Sequence, residues 1–297
     1  SKTPLFFLVL SSVLNVILDL TFILIFKLGV FGASLATVLS QAISGMLCLL
    51  FIAVKVPILH ITREEWRPQS KRMIELCAYG VPMGLQYSIT AIGSVILQVA
   101  VNSLGSLSVA AVTAASKVLN FLACPFDALG STMATYGAQN VGASRYDRLN
   151  KGIYSASLMG FGYSLLALAI AWFFGRSLTG LFVSGDSSAQ LVELAQTYMV
   201  TNVIAYPLLT LVNVVRFMIQ GIGFSMFAIL AGVMEMIARS LAGVFLVPAL
   251  GYFGAALGSP LAWVAADIFL VPAYFRCRRV LMSQSHHLHV KAEEGEL

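Results

Sequence analysis

The apolar positions of this chain come in long unbroken runs rather than in narrow periodic stripes. No charged residue occurs across 28–54, 76–116, 152–175, 194–215, 217–234 or 240–266. A helix that crosses a bilayer needs about 20 mostly apolar residues, so these runs read as membrane spans. The 76–116 run is too long for one helix, and the turn residues Leu104, Gly105 and Ser106 divide it. The pattern predicts eight spans, at about 4–26, 29–54, 74–103, 108–135, 152–174, 196–218, 224–247 and 252–275. The fourth is interrupted by Lys117, Pro125 and Asp127. The short alternating strands that a closed barrel requires do not occur.

Composition agrees with lipid as the solvent. The 297 residues are 59% hydrophobic and only 10% charged, with a mean hydropathy of +0.88. Soluble domains carry about 25% charged residues, so a globule this size could not be coated from so few. Loop charge then tests the count of spans. The loops on one side hold Lys55, Arg63, Arg67, Lys71, Arg72, Arg145, Arg148, Lys151, Arg276, Arg278, Arg279 and Lys291, with Lys2 beside them. The other side holds only Lys27 and Arg176. This positive-inside bias places the basic loops and the C-terminus in the cytoplasm, and lipid headgroups account for them without nucleic acid. The four cysteines, Cys48, Cys77, Cys124 and Cys277, are scattered without metal-ligand spacing and read as small apolar residues.

The chain also repeats itself. "LGVFGASLATVL" (28–39) and "LGYFGAALGSPL" (250–261) share seven of twelve positions at a constant offset of 222. The copies open the second and the eighth spans, so the period is six helices and both copies run in the same direction. That is a parallel repeat, whose halves are related by an axis along the membrane normal. Each copy follows an apolar helix holding polar residues one turn apart, Asn15/Asp19 and Glu235/Arg239. Two helices ending one half and six forming the next imply a parent of twelve spans. The chain opens on Ser1 and reads as a fragment lacking the first four helices. Its expected parts are 1–56 as the last two helices of an N-terminal lobe, and 57–73 as a cytoplasmic linker. The C-terminal six-helix lobe follows over 74–280, and 281–297 is a cytoplasmic tail. The first two helices lack four lobe partners, so the eight-helix piece is expected not to function alone.

Charges inside hydrocarbon cost about 2.5–3.5 kcal/mol each on insertion scales, so each needs a partner or a role. Glu235 and Arg239 share a helix face and either fix packing as a pair or hold a carboxylate that a coupling cation can claim. Asp267, one turn after Trp263, is either a packed polar contact or part of a binding wall. Arg216, near the cytoplasmic end of the sixth span, reads as a side chain that snorkels to the headgroups. Gln86 and Tyr87 follow Pro82, and Asn120 precedes Pro125, where a freed carbonyl beside Asp127 would expose cation ligands. Asp127 alternatively pairs with Lys117 or caps the broken segment. Phe121, Phe126, Tyr206 and Phe217 offer faces to a lipophilic cation, or simply pack. No Ser-His-Asp grouping, dinucleotide fingerprint or metal motif is present. His60 lies in the linker and His286, His287 and His289 in the tail. The chain therefore reads as a non-enzyme without a cofactor.

Several stretches together resemble the multidrug and toxic compound extrusion (MATE) family. They are "GVPMGLQYSI" (80–89), "AASKVLNFLACPFDALGSTMATYGAQNVGA" (114–143) and "LGSPLAWVAADIFLVPAYF" (257–275), with the opening "SKTPLFFLVLSSVLNVILDL" similar to the fifth of its twelve helices. The resemblance implies two six-helix lobes around a central cavity, exporting organic cations in exchange for H⁺ or Na⁺. Some members carry a glutamate in helix seven, after the Gly-x-Pro, and an aspartate in helix ten. Here the first position is about Thr90, and the sixth span has no acid after Glu193. Coupling would instead fall to an acid in the missing helices, or to Asp127, Glu235 or Asp267.

The expected fold is an all-α polytopic membrane protein, eight helices of a twelve-helix, two-lobe transporter. The expected function is a multidrug efflux antiporter of the bacterial inner membrane. Its expected partners are cationic lipophilic small molecules, membrane lipids and the missing N-terminal helices, with H⁺ or Na⁺ as coupling ion. The candidate site comprises Gln86, Tyr87, Asn120, Asp127, Tyr206, Glu235, Arg239 and Asp267. A flippase for a lipid-linked precursor would need a more basic cavity than Lys117, Arg216 and Arg239 supply. A non-transporting scaffold would have no need of buried charges.

Overall fold

The computed structural model describes residues 2–57, 68–182 and 188–293. Most of the expected linker, with Arg63, Arg67 and His60, lies outside the described residues, as do the side chains of the histidine-bearing tail. Every regular element among the described residues is helical. Seven helices are long and apolar enough to cross a membrane, and a bent pair makes an eighth if it counts as one span. The backbone divides into two compact units, Ser1–Met73 and Ile74–Leu297.

The first unit holds α1 (Lys2–Leu20), a π turn at Thr21–Ile25, and α2 (Gly29–Lys55). α2 buries one face only, made of Gly32, Ala36, Ser40 and Ser44 at four-residue spacing. Lipid tails are as apolar as leucine, so small residues that let backbones approach are what bring membrane helices together. The Ser44 hydroxyl bridges the pair by donating to the Phe7 carbonyl at 2.8 Å. Outward-facing Val30, Phe31 and Leu49 are exposed, as side chains against lipid tails would be.

The second unit contains α3 (Ser70–Asn102, mostly within it), α4 (Ser106–Gly142), α5 (Asp147–Gly180), α6 (Ser188–Ile204) and α7 (Tyr206–Gly221). It continues with α8 (Ser225–Leu241), a π turn at Ala242–Leu246, α9 (Val247–Leu250) and α10 (Tyr252–Glu293). α4 packs against α5, α6 and α7, while α8 packs on α10. The α4–α7 contact is close enough that a methyl group on Gly221 would lie 2.2 Å from the Ala134 carbonyl oxygen.

The repeated sequence is also a repeated local structure. A π turn precedes each copy, at Thr21–Ile25 and at Ala242–Leu246. Gly29 and Gly251 then turn the chain at φ +55° and +59°, a region where a side chain is strained. Three residues on, Gly32 and Gly254 sit against the preceding helix. A methyl on Gly254 would meet the Leu246 carbonyl at 2.2 Å. The conserved-looking letters of the two copies thus do the same mechanical work.

One expectation fails here. Pro125 does not break its helix, because α4 runs through it. The tyrosine hydroxyls of Tyr206 and Tyr163 donate to the carbonyls of Leu119 and Leu122, both at 3.1 Å, and brace the turn that proline weakens. The break falls instead between α6 and α7, which meet at 49°. Pro207, at the start of α7, lacks the N–H that a continuous helix would use there.

Candidate functional site

A polar network crosses the second unit in a region that is otherwise apolar. Arg216 on α7 and Arg239 on α8 both bind the Glu235 carboxylate: Arg216 Nη2 donates to Oε1, and Arg239 Nη1 lies 3.2 Å from Oε2. Glu235 is 2% exposed and both arginines 6%. Arg239 Nη1 also donates to the Thr90 carbonyl on α3 at 3.4 Å. One turn from Arg216, Gln220 donates through Nε2 to Gln86 Oε1, tying α7 to α3. Ions removed from water must be paired and hydrogen-bonded, and this arrangement does both for Glu235.

Asp267 on α10 is the exception. It is buried within electrostatic reach of Arg216 and Glu235. Neither carboxylate oxygen has a hydrogen-bond partner among the described residues, and neither does Arg216 Nε. The network therefore holds one carboxylate gripped by two guanidiniums and a second carboxylate left free.

Beside the network lies a cavity of about 340 Å³ between α3, α4, α6, α7, α8 and α10. Its floor includes Tyr206 and Trp263, whose rings are 6.1 Å apart at 59°. Asn120, Asn202 and three serines add amide and hydroxyl groups, and among the described residues Arg239 is its one charged lining residue.

The structure thus brings Gln86, Glu235, Arg239 and Asp267 into or beside one network, and Asn120, Tyr206 and Arg239 to one cavity. It separates the others. Tyr87 is 57% exposed on the outer face of α3. Asp127 is exposed on α4 and makes no ion pair with Lys117, whose ammonium instead sits 5.1 Å from the centre of the Phe182 ring. Phe121 is 78% exposed, whereas Phe126 is fully buried edge-on to Tyr163 and Tyr206. Arg216 does not snorkel. Its helix turns that face onto α8, where Glu235 is a nearer partner than the headgroups. Arg216 and Gln220 share the one-turn spacing that links Glu235 to Arg239, and that signal was open to find them.

The comparisons with known proteins agree on family and fold. The MatE family model matches residues 82–244. A probable multidrug resistance protein of Bacillus subtilis, YpnP, is 28% identical over 75% of this chain and 48% of its own length. A second, YoeA, is 24% identical over 65% of this chain and 43% of its own length. The chain thus spans about half the length of these curated relatives. Among solved structures, an outward-facing multidrug resistance MATE family transporter of the MOP superfamily superposes with a TM-score of 0.85 at 21% identity, over 94% of this chain and 62% of that one. A MOP superfamily transporter from Pyrococcus furiosus gives 0.81 at 20% identity, over 92% and 62%. With the helical bundle and the matched segment covering more than half of it, the chain belongs to the MatE family of membrane transporters.

Proposed function

We propose that the whole protein is a multidrug efflux antiporter that exports cationic lipophilic small molecules in exchange for H⁺ or Na⁺. It would work by alternating access in the bacterial plasma membrane, with the basic loops and C-terminus in the cytoplasm. The observation that carries the reading is Asp267, buried with neither carboxylate oxygen hydrogen-bonded among the described residues, next to a charge network that joins α7 to α8. A carboxylate so placed is satisfied by a small cation, and H⁺ and Na⁺ are the two whose gradients membranes maintain. Glu235 is already held by two arginines, so Asp267 is the freer acid. Loading Asp267 would change the field on Arg216 and so the grip of α7 on α8. A bound ion shifts conformations only by its differential affinity for them, and this contact between helices supplies such a difference. The exposed Asp127 on α4 is a second ion-binding candidate.

The test is ethidium transport by the full-length protein in sealed liposomes, with Na⁺ and H⁺ gradients imposed separately. Uphill movement with one ion, abolished in Asp267→Asn, is the expected result. Unchanged gradient-driven export after neutralising every intramembrane acid of the full-length protein, Asp127, Glu235 and Asp267 among them, would sink the proposal.

A further inference from the structure

The cavity beside the network has a chemistry that the export of cations does not use. Among the described residues its lining contains no carboxylate. Arg239 has committed only Nη1, to Glu235 and the Thr90 carbonyl. Its Nε and Nη2 make no hydrogen bond among the described residues. These two atoms form the side-on edge that matches a carboxylate in a bidentate pair.

Three neutral donors sit in the same lining without side-chain hydrogen bonds among the described residues. Ser116 and Asn120 are one turn apart on α4, and Ser259 is one turn before Trp263 on α10. Of the other polar lining groups, Ser94 donates to the Thr90 carbonyl, Gln98 to Asn102, Asn202 to the Tyr198 and Ala256 carbonyls and Tyr206 to the Leu119 carbonyl, while the Tyr198 hydroxyl and the Trp263 indole N–H, like the three groups above, make no hydrogen bond among the described residues. The rings of Tyr206 and Trp263 line the same cavity. The cavity volume of about 340 Å³ falls within the roughly 300–1,000 Å³ of small-molecule sites.

We infer that this cavity is a binding site for a small aromatic carboxylate, its anionic end held by Arg239, Ser116, Asn120 and Ser259 and its ring packed against Tyr206 and Trp263. Such a ligand carries the opposite charge to the exported molecules and occupies a site within one bundle. The inference stands on equilibrium binding and does not depend on the transport reading.

The test uses the full-length protein in nanodiscs of zwitterionic lipid, with empty discs as the reference. Binding of 2-naphthoate, 2-naphthol and 2-naphthylmethylammonium is measured by equilibrium dialysis. The three probes share a ring system and differ in charge. Naphthoate is expected to bind at one site and more tightly than the ammonium probe. Arg239→Gln leaves Arg216 on Glu235, and should weaken naphthoate by about tenfold or more while leaving naphthol unchanged. Should that variant fail to fold, Ser259→Leu fills the cavity from α10 and should abolish naphthoate binding. The inference is overturned if naphthoate does not exceed empty discs or if the ammonium probe binds as tightly. Retention of naphthoate affinity in the folded variant, Arg239→Gln or Ser259→Leu, would overturn it too.

Discussion

Replacing Glu235 by glutamine tests whether the buried charges form one interdependent unit. The substitution keeps the side-chain shape and removes a single negative charge. In the native arrangement each guanidinium has its own carboxylate oxygen, and all three residues are at most 6% exposed. Glutamine offers one acceptor to one arginine and turns its NH₂ donors toward the other. Removing one partner from a buried ion pair typically costs about 3–5 kcal/mol, because an uncompensated charge stays behind. The insertion penalty of about 2.5–3.5 kcal/mol for one charge at mid-membrane has the same size. The triple replacement Arg216→Met, Glu235→Leu, Arg239→Met, made together with Asp267→Asn so that no carboxylate is left without a counter-charge, removes every charge of the network at similar volume and is expected to unfold within about 1 kcal/mol of the natural protein. The assay is reversible SDS titration of helicity in mixed micelles, comparing free energies of unfolding. If Glu235→Gln unfolds within about 1 kcal/mol of the natural protein, the arginines do not depend on this carboxylate. If this combined variant is as unstable as the single one, uncompensated charge is not the cause.

Other contacts give sharper local tests in the same assay. Gly221→Ala places a methyl 2.2 Å from a backbone oxygen of α4, which cannot rotate away. It should cost more than the roughly 1–3 kcal/mol usual for overpacking, with Gly162→Ala, where the space is open, as the mild control. Tyr206→Phe removes the hydroxyl that braces α4 at Leu119 but keeps the ring contact with Phe126, so a loss of about 0.5–1.5 kcal/mol is expected. Gly251→Ala and Gly29→Ala both force a side chain into positive φ. Each should cost about 1–2 kcal/mol, and a loss at only one of them would break the structural equivalence of the two copies.

Much of the architecture was legible because a bilayer imposes it. Leu104-Gly105-Ser106 marked a real turn, with Gly105 at φ +93°, and the offset of 222 identified two turns of the same build. The pairing of Glu235 with Arg239 was legible too, since four residues bring two side chains onto one helix face. Arg216 was misread for a complementary reason. Distance to a headgroup is written in one helix, but its nearest counter-charge sits nineteen residues away on another. Pro125 was misread because the hydroxyls that keep its helix continuous come from Tyr163 and Tyr206, on other helices.

By itself, the sequence determined the membrane class, the approximate positions of the spans, the repeat and the family. These follow from local rules: run length, charge counts and glycine at obligatory turns act on each segment separately. Tertiary structure alone decided which polar residues meet. Helix rotation sets which face looks inward, and a rotation of about 100° per residue separates buried Leu122 from exposed Phe121 next to it. The same rotation isolates Asp127 from Lys117, gives Glu235 a second arginine and leaves neither carboxylate oxygen of Asp267 hydrogen-bonded among the described residues. Pairing of charges depends on angstrom-scale packing between helices distant in the chain, and no single helix carries that information.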